Sequence, residues 1–270
     1  MPELPEVETI ARGLDRMIAG KRIARAAVTL PKVVAPEPKR FKRALAGDSI
    51  ERIGRRGKFV VVSLASGRSL VVHLRMTGRL IVRTAGAKTR YPYSNVRLDF
   101  DDGTRLEFAD VRQFGRMRLV EPEEAWAAEV GLEPLSADFS VERFSSLLSG
   151  RTTPIKVFLL DQRRIAGIGN IYACEALWEA RIDPRKPAGS LSKERRRRLH
   201  LSIQSVLSRA IERRGTSVDD YVDAEGFEGG FQNELNVYGR DGEACFRCGR
   251  SIVRTVLAQR GTWWCRNCQT

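Results

Sequence analysis

The sequence predicts an α+β protein of more than one domain. A leading helix and a run of antiparallel strands come first, then a helical region, then a small metal-held hairpin. Three observations carry this. Between about 21 and 121, short apolar segments alternate with turn signals and no helical spacing intervenes. From residue 123 the spacing turns helical. The chain closes on Cys245-x2-Cys248 and Cys265-x2-Cys268 with sixteen residues between the pairs. A chain of 270 residues is long enough for two ordinary cores. The expected division is 1–122, 123–236 and 237–270.

Taken in order, Pro5 to Gly20 is an amphipathic helix. Pro5 suits the first turn, Glu6 and Glu8 complement the positive end of the dipole, and Val7, Ile10, Leu14, Met17 and Ile18 share one face. Gly20 ends it. Strands are expected at 22–30, 48–54, 58–64, 69–76, 79–83, 95–100, 104–109 and 115–121. Ser66-Gly67, Thr77-Gly78 and Asp102-Gly103 mark turns between them. Eight short strands without intervening helices give an antiparallel sandwich or barrel. Pro31 to Pro38 and 84–94 are expected to be loops. Helical spacing covers 123–130, 140–149, 154–160, 170–180 and 192–213, and the last places Leu199, Ile203, Val206, Leu207, Ala210 and Ile211 on one stripe. Residues 215–236, with Gly226, Gly229 and Gly230, form a long loop of the functional kind.

Composition narrows the function. No run of about 18 apolar residues occurs, so no membrane span is expected. Acidic residues occupy the start where a signal peptide would be basic and apolar, so a cytosolic location is expected. Lys and Arg number 47 against 33 acids, a net charge of +14, which points to a polyanionic partner, nucleic acid before any other. Five cysteines in a reducing compartment do not make a disulfide set.

The candidate chemistry begins at Met1-Pro2-Glu3. With Met1 trimmed, Pro2 carries a free secondary amine. An α-amino group titrates near ~8 and a lysine near ~10.4, so the terminus holds roughly a few hundredfold more unprotonated amine at neutral pH. Such an amine attacks an electrophilic carbon, for example C1′ of a sugar, to give a Schiff base, and Glu3 is placed to move protons. Glu6 is either a helix-start charge or a second group in the same pocket. Lys58 opens an apolar strand, as a solvated strand end or a phosphate contact or proton carrier. His73 reads first as a local hydrogen-bonding group, and Met76 as a strand-end core residue. Asp110 to Gly115 is a polar loop with Phe114 beside Arg112, either a loop anchor or a wedge entering a base stack. Gly167-Ile168-Gly169-Asn170 before a helix offers backbone N–H groups to an anion, with Arg151 and Lys156 flanking the neighbouring helix. The four cysteines match a closed tetrahedral zinc site, structural because no coordination position is left open. Arg260 lies at the tip of the hairpin between the pairs, suited to a phosphate. Cys174 is a core residue, and the run Lys193 to Arg198 is chiefly a solvated face.

In this order the pieces resemble the formamidopyrimidine-DNA glycosylases, bacterial repair enzymes for oxidised purines. The resemblance rests on Met1-Pro-Glu-Leu-Pro-Glu-Val-Glu8, Lys58, His73 to Gly78, Asp110 to Gly115, Gly167 to Tyr172, Glu234 to Gly239 and the finger with Gln259-Arg260, and spans essentially the whole chain. It implies an N-terminal β-sandwich with a leading helix, a helix-two-turn-helix domain and a zinc finger, with double-stranded DNA in a cleft between domains. It implies a bifunctional glycosylase and abasic-site lyase of base excision repair, acting as a monomer. By the same resemblance Pro2 is the nucleophile, Glu3 its acid/base partner, Lys58 assists β-elimination, and Arg260 contacts phosphate and assists δ-elimination. Met76, Arg112 and Phe114 fill the gap left by an everted nucleotide. Arg151, Lys156, Asn170, Tyr238 and His73 hold phosphates, and the loop within 217–232 covers the base. Two departures stand out: Tyr93 occupies a loop where the family often carries histidine, which puts a Tyr93–DNA contact in question, and Phe227 to Phe231 lacks the more usual proline and tyrosine, which leaves the choice between 8-oxoguanine and formamidopyrimidines open. The alternatives are an endonuclease VIII-like enzyme for oxidised pyrimidines and a non-catalytic zinc-dependent binder of damaged DNA.

Overall fold

A computed structural model describes residues 1–86, 91–122, 126–217 and 221–270. The chain forms two units: Met1–Ala127 with Arg214–Gly230, and Ala128–Arg213 with Phe231–Thr270.

In the first unit, α1 (Leu4–Ile18) starts where expected and buries Leu4, Val7, Ile10, Ala11, Leu14 and Ile18, leaving Arg12 and Arg16 exposed. Gly20 takes a φ of 80°, and its N–H donates to Ile50 O at 2.7 Å, turning the chain into the sheets. All eight expected strands form: β1 (Ile23–Val28), β3 (Ile50–Arg56), β4 (Phe59–Leu64), β5 (Ser69–His73), β6 (Gly78–Arg83), β7 (Ser94–Phe100), β8 (Arg105–Asp110) and β9 (Arg116–Val120). A ninth, β2 (Val34–Ala35), lies inside the expected proline loop and pairs parallel to β9. The sheets run β1-β7-β8-β6 and β2-β9-β5-β4-β3. Alternate residues of both, among them Leu80, Val96, Phe108, Val60, Val72 and Leu119, share one core with α1. The sandwich, not the barrel, is therefore the architecture.

Three details correct the sequence reading. First, a helix does intervene, α2 (Pro38–Leu45), started by Glu37, whose carboxylate accepts from Lys39 N at 2.7 Å and Arg40 N at 2.8 Å. Only Phe41 and Leu45 anchor it, one turn apart in a charged stretch, too few for a periodic signal. Second, β5 stops at His73 and not at 76, because Gly78 N donates to Leu74 O at 3.0 Å and Arg75 adopts a φ of 55°. Met76 thus stands on a turn, exposed, and not in the core. Third, 126–129 is a single 3₁₀ turn, and residues 123–125 of the expected helix lie outside the described residues.

The second unit has α3 (Val141–Leu148), α4 (Ile155–Leu159), α5 (Asn170–Glu179) and α6 (Lys193–Glu212), with Ser140 and Ser192 as N-caps of α3 and α6. The expected stripe of α6 is buried at Leu199, Ile203, Val206, Leu207 and Ala210, while Ile211 is half-buried. The chain ends in the hairpin β10 (Val253–Leu257) and β11 (Arg260–Trp264), joined by Ala258-Gln259. Both turn residues have positive φ, 46° and 60°, the form that matches the twist of a two-residue hairpin but that asparagine and glycine adopt more readily. Cys174 packs under the finger with Trp178, Val237, Ile252, Cys245 and Cys265, as a core residue.

Candidate functional site

At the chain start, Glu3 is the buried N-cap of α1 and Pro2 is half-buried just before it. Glu6 divides its carboxylate between two backbone donors, Glu3 N at 2.8 Å and Thr216 N at 2.8 Å. The carboxylate lies so close to Gly215 (φ 85°) that a Cβ there would sit 2.7 Å from it. Tyr221 closes the same joint, its hydroxyl donating to Arg214 O at 3.1 Å. Burial first, then the charges of Glu6 and Asp223, push its pKa up. Glu6 is therefore the anchor that ties the long loop to the start of the helix.

Lys58 follows Gly57 (φ 57°) in the tight turn between β3 and β4 and is only 5% exposed. The turn is held from α1: Glu8 receives Arg55 Nε at 2.9 Å, and Arg55 Nη1 donates to Gly57 O at 3.0 Å. Across the strand pair His73 meets Phe59 edge-on, with centroids 4.8 Å apart. Burial, then Arg75 and Lys58, holds the His73 pKa down to about 4. The ring is neutral near pH 7. Its Nδ1 accepts from Arg75 N at 3.0 Å, so the hydrogen-bond pattern assigns the proton to Nε2. His73 thus carries one ring N–H donor and no positive charge.

A third group forms beyond β5. Met76, Arg112 and Phe114 come together: Arg112 Nη1 lies 3.1 Å from Met76 Sδ, and its guanidinium carbon 5.1 Å from the Phe114 ring centre. Met76 and Phe114 are 45% and 51% exposed, and Val111 and Tyr93 are exposed as well. Tyr93 has a φ of 58°, and its carbonyl accepts from Asp110 N at 3.2 Å.

In the second unit the four cysteines converge, with sulfurs within 4.8 Å of one another. A tetrahedral Zn–S distance of about 2.3 Å requires sulfurs about 3.8 Å apart. Cys245–Cys268 at 3.9 Å and Cys248–Cys265 at 3.5 Å meet this. Burial and neighbouring thiols push Cys268 up to about 12. Burial opposes ionisation of Cys245 too, but backbone N–H donors outweigh it and bring it down to about 6. A divalent ion held by these sulfurs would favour all four as thiolates. A single structural zinc fits it.

Arg260 opens β11 in an exposed position opposite Leu257, and Arg151 is exposed as well. Lys156, expected to face a phosphate, is completely buried and donates to Gly261 O and Thr262 Oγ1, both at 2.7 Å. Asn170 donates to the same Gly261 carbonyl at 3.1 Å. Both residues bind the hairpin immediately after Arg260. Tyr238 lies 4.5 Å from Trp263, ring centre to ring centre, and its N–H donates to Glu175 Oε1 at 2.9 Å. The buried Glu175 also accepts from Asn236 N and Val237 N, each at 2.9 Å. Burial raises its pKa against those bonds. Sequence reasoning missed Glu175; its one signal was an acid on the apolar side of the 170–180 helix.

Three family models match the chain: the formamidopyrimidine-DNA glycosylase N-terminal domain at 1–117, the H2TH domain of the same enzymes at 130–222, and a zinc finger found in FPG and IleRS at 242–270. The formamidopyrimidine-DNA glycosylase of Chloroflexus aurantiacus is 45% identical over all of this chain and 98% of its own. That of Moorella thermoacetica is 48% identical over 94% of each. A Lactococcus lactis FPG mutant solved with Fapy-dG containing DNA superposes with a TM-score of 0.93 at 37% identity, over 99% of both chains. The Lactococcus protein has also been solved with an abasic site and with an oxidised pyrimidine in the DNA. The buried N-cap glutamate at the start, the lysine turn and the four-cysteine finger thus stand in a chain that belongs to the formamidopyrimidine-DNA glycosylase family.

Proposed function

We propose that this chain is a bifunctional DNA glycosylase and abasic-site lyase that removes oxidised purines in base excision repair. The observation that carries the reading is the Pro2-Glu3 start, seated at the N-terminus of α1 beside a buried glutamate. With Met1 removed, the Pro2 nitrogen attacks C1′, the bond from C1′ to the base breaks, and the base leaves with a proton. The sugar ring opens to an iminium on Pro2. Loss of a C2′ proton then expels the 3′ phosphate, loss of the C4′ proton expels the 5′ phosphate, and water releases the enzyme. Glu3 moves protons in the first stage, Lys58 assists the first elimination and Arg260 the second. Met76, Arg112 and Phe114 occupy the gap in the duplex. Arg151, Asn170, Tyr238 and the His73 Nε2–H contact phosphates, whereas Lys156 acts through the hairpin that bears Arg260. Tyr93 is exposed and is available to the DNA. The zinc is structural and takes part in no step.

The parts 1–122, 123–236 and 237–270 carry nucleophile, phosphate grip and finger respectively. The spans of the three family models support that division, although 214–230 packs with the first unit. The net charge of +14 supports a polyanionic partner, and the enzyme works as a cytoplasmic monomer. No helix among the described residues is long and apolar enough to cross a membrane.

Borohydride reduction in the presence of an 8-oxoguanine duplex tests the mechanism. The expected adduct maps by mass spectrometry to the N-terminal peptide beginning at Pro2; an adduct on a lysine, or none, overturns it. Rates on formamidopyrimidine and thymine-glycol duplexes set the substrate order, with the oxidised purines faster.

A further inference from the structure

The three exposed side chains Met76, Arg112 and Phe114 come from two loops that share no strand pairing, 74–77 and 111–115. A single buried side chain joins those loops. Asp110 is 1% exposed. Its Oδ1 accepts from Thr77 Oγ1 at 2.5 Å and its Oδ2 from Gly115 N at 2.7 Å. The Thr77 hydroxyl oxygen accepts in turn from Arg112 N at 3.2 Å. The backbone of Asp110 is fixed as well, its carbonyl by Asn95 Nδ2 at 3.2 Å and its N–H by Tyr93 O. Gly115 has no room for a side chain: a Cβ would lie 2.5 Å from Phe108 Cζ and 3.1 Å from Asp110 Oδ2. Among the described residues, the buried hydrogen bonds between the two loops therefore run through Asp110 and Thr77, above the ladder pairs Gly78–Asp110 and His73–Arg116 at their bases and beside the exposed Arg112 Nη1–Met76 Sδ contact.

We propose that Asp110, acting through Thr77, is the positioning residue that presents Met76, Arg112 and Phe114 as one rigid unit for insertion into the duplex. This rests on the reading of those three as gap-filling groups. The physical argument is one of preorganisation. An exposed methionine, arginine and phenylalanine on separate flexible loops lose side-chain and backbone freedom on entering a base stack. Loops already locked to one buried group have lost part of that freedom on folding. Asp110 need not touch DNA to act in this way.

The test uses the full-length enzyme on an abasic site placed in a duplex and in a single strand. A gap is left only where a second strand is present, so a positioning role appears as a fall in the ratio of duplex to single-strand cleavage. Losing a hydrogen bond of this kind is worth roughly a factor of ten. Asp110→Asn and Thr77→Val are expected to lower the ratio by about that much, with the quench-free signal of a 2-aminopurine opposite the site falling in parallel. Thr77→Ser, which keeps the hydroxyl, restores both. Arg112→Ala is the control for the underlying reading. If it leaves the ratio untouched, the gap-filling assignment fails. If Arg112→Ala lowers the ratio while Asp110→Asn and Thr77→Val do not, or if these two lower both substrates equally, the positioning role is overturned.

Discussion

Lys58 and Arg260 are two cations set next to tight hairpin turns, and they are held in opposite ways. The turn at Lys58 joins strands that belong to a five-stranded sheet with a full core beneath it. One additional link, Glu8 to Arg55 to Gly57 O, orients the turn from the helix that begins at Glu3. The turn at Arg260 joins only two strands: β10 alternates half-buried and exposed residues, and of β11 only Thr262 and Trp264 are buried, which leaves little to pack. A segment the size of the 242–270 finger is too short to bury a core of its own. It is held by four thiols around a metal, by the apolar patch over Cys174 and Trp178, and by the buried ammonium of Lys156. Where a core is available an ion pair from the helix adjusts the group, and where it is not, metal and buried charge replace the core.

Breaking these supports separates the two cases. The largest effect belongs to the metal, since structural zinc in finger peptides contributes about 10–16 kcal/mol to folding. Cys248→Ser is expected to unfold the hairpin, seen as loss of the near-ultraviolet circular dichroism of Trp263 and Trp264 together with duplex binding. The circular dichroism of the sandwich should persist. Lys156→Met comes next. It leaves the Gly261 carbonyl and the Thr262 hydroxyl without the donor they share, and bonds to a charged group are worth about 1.5–3 kcal/mol. Arg55→Met removes a bond of the same class, yet the sheet remains. The comparison predicts that Lys156→Met lowers the zinc affinity measured by chelator competition, whereas Arg55→Met leaves it unchanged and slows only the lyase step.

How much of this was legible in the sequence depended on the range of each partner. The cysteine pairs declare themselves because their ligands are local, and so do the helix at Pro5 and the strand periods. In the sequence Glu6 reads as either a helix-start charge or a second pocket group, and Asp110 and Glu175 show no role of their own, because key donors lie far off: Thr216 is 210 residues from Glu6, Thr77 33 from Asp110 and Asn236 61 from Glu175. Lys156 read as a phosphate ligand because nothing local shows that the hairpin, 105 residues on, supplies its acceptors. His73 read correctly as a local hydrogen-bonding group, but its charge state needed Lys58 and Arg75 in three dimensions. Its folded pKa, about 4, is below the unfolded value near 6.5, so the unfolded chain takes up the proton first. The His73 contribution is complete above about pH 6.5 and is lost as pH falls toward about 4. Denaturant midpoints for the wild type and for His73→Asn, in which the side-chain oxygen replaces Nδ1, should converge across that window. A constant gap from pH 7 to 4 would rule out titration at this site.

The smallest expected effects lie in the arginine run at the start of α6, which reads in sequence chiefly as a solvated face and which the structure divides. Arg196 donates to Leu191 O at 2.8 Å, Ser145 O at 3.1 Å and Gly189 O at 2.9 Å, tying the turn before α6 to α3. Arg198 Nε donates to Ala180 O at 2.6 Å, at the C-terminal end of α5, where a positive charge also meets the negative end of the helix dipole. Arg197 is exposed. Three bonds from one guanidinium to backbone carbonyls put Arg196→Ala at about 2 kcal/mol of lost stability. Arg197→Ala falls within about 0.5 kcal/mol of the wild type. Urea midpoints measure the difference, and the salt dependence of duplex binding measures the other half of it. If Arg197 is only a solvated charge, its removal shifts neither the midpoint nor the slope of binding against salt. A change in that slope of about one ion per arginine would instead place it on a phosphate, and the arginine run would join the DNA-contacting surface.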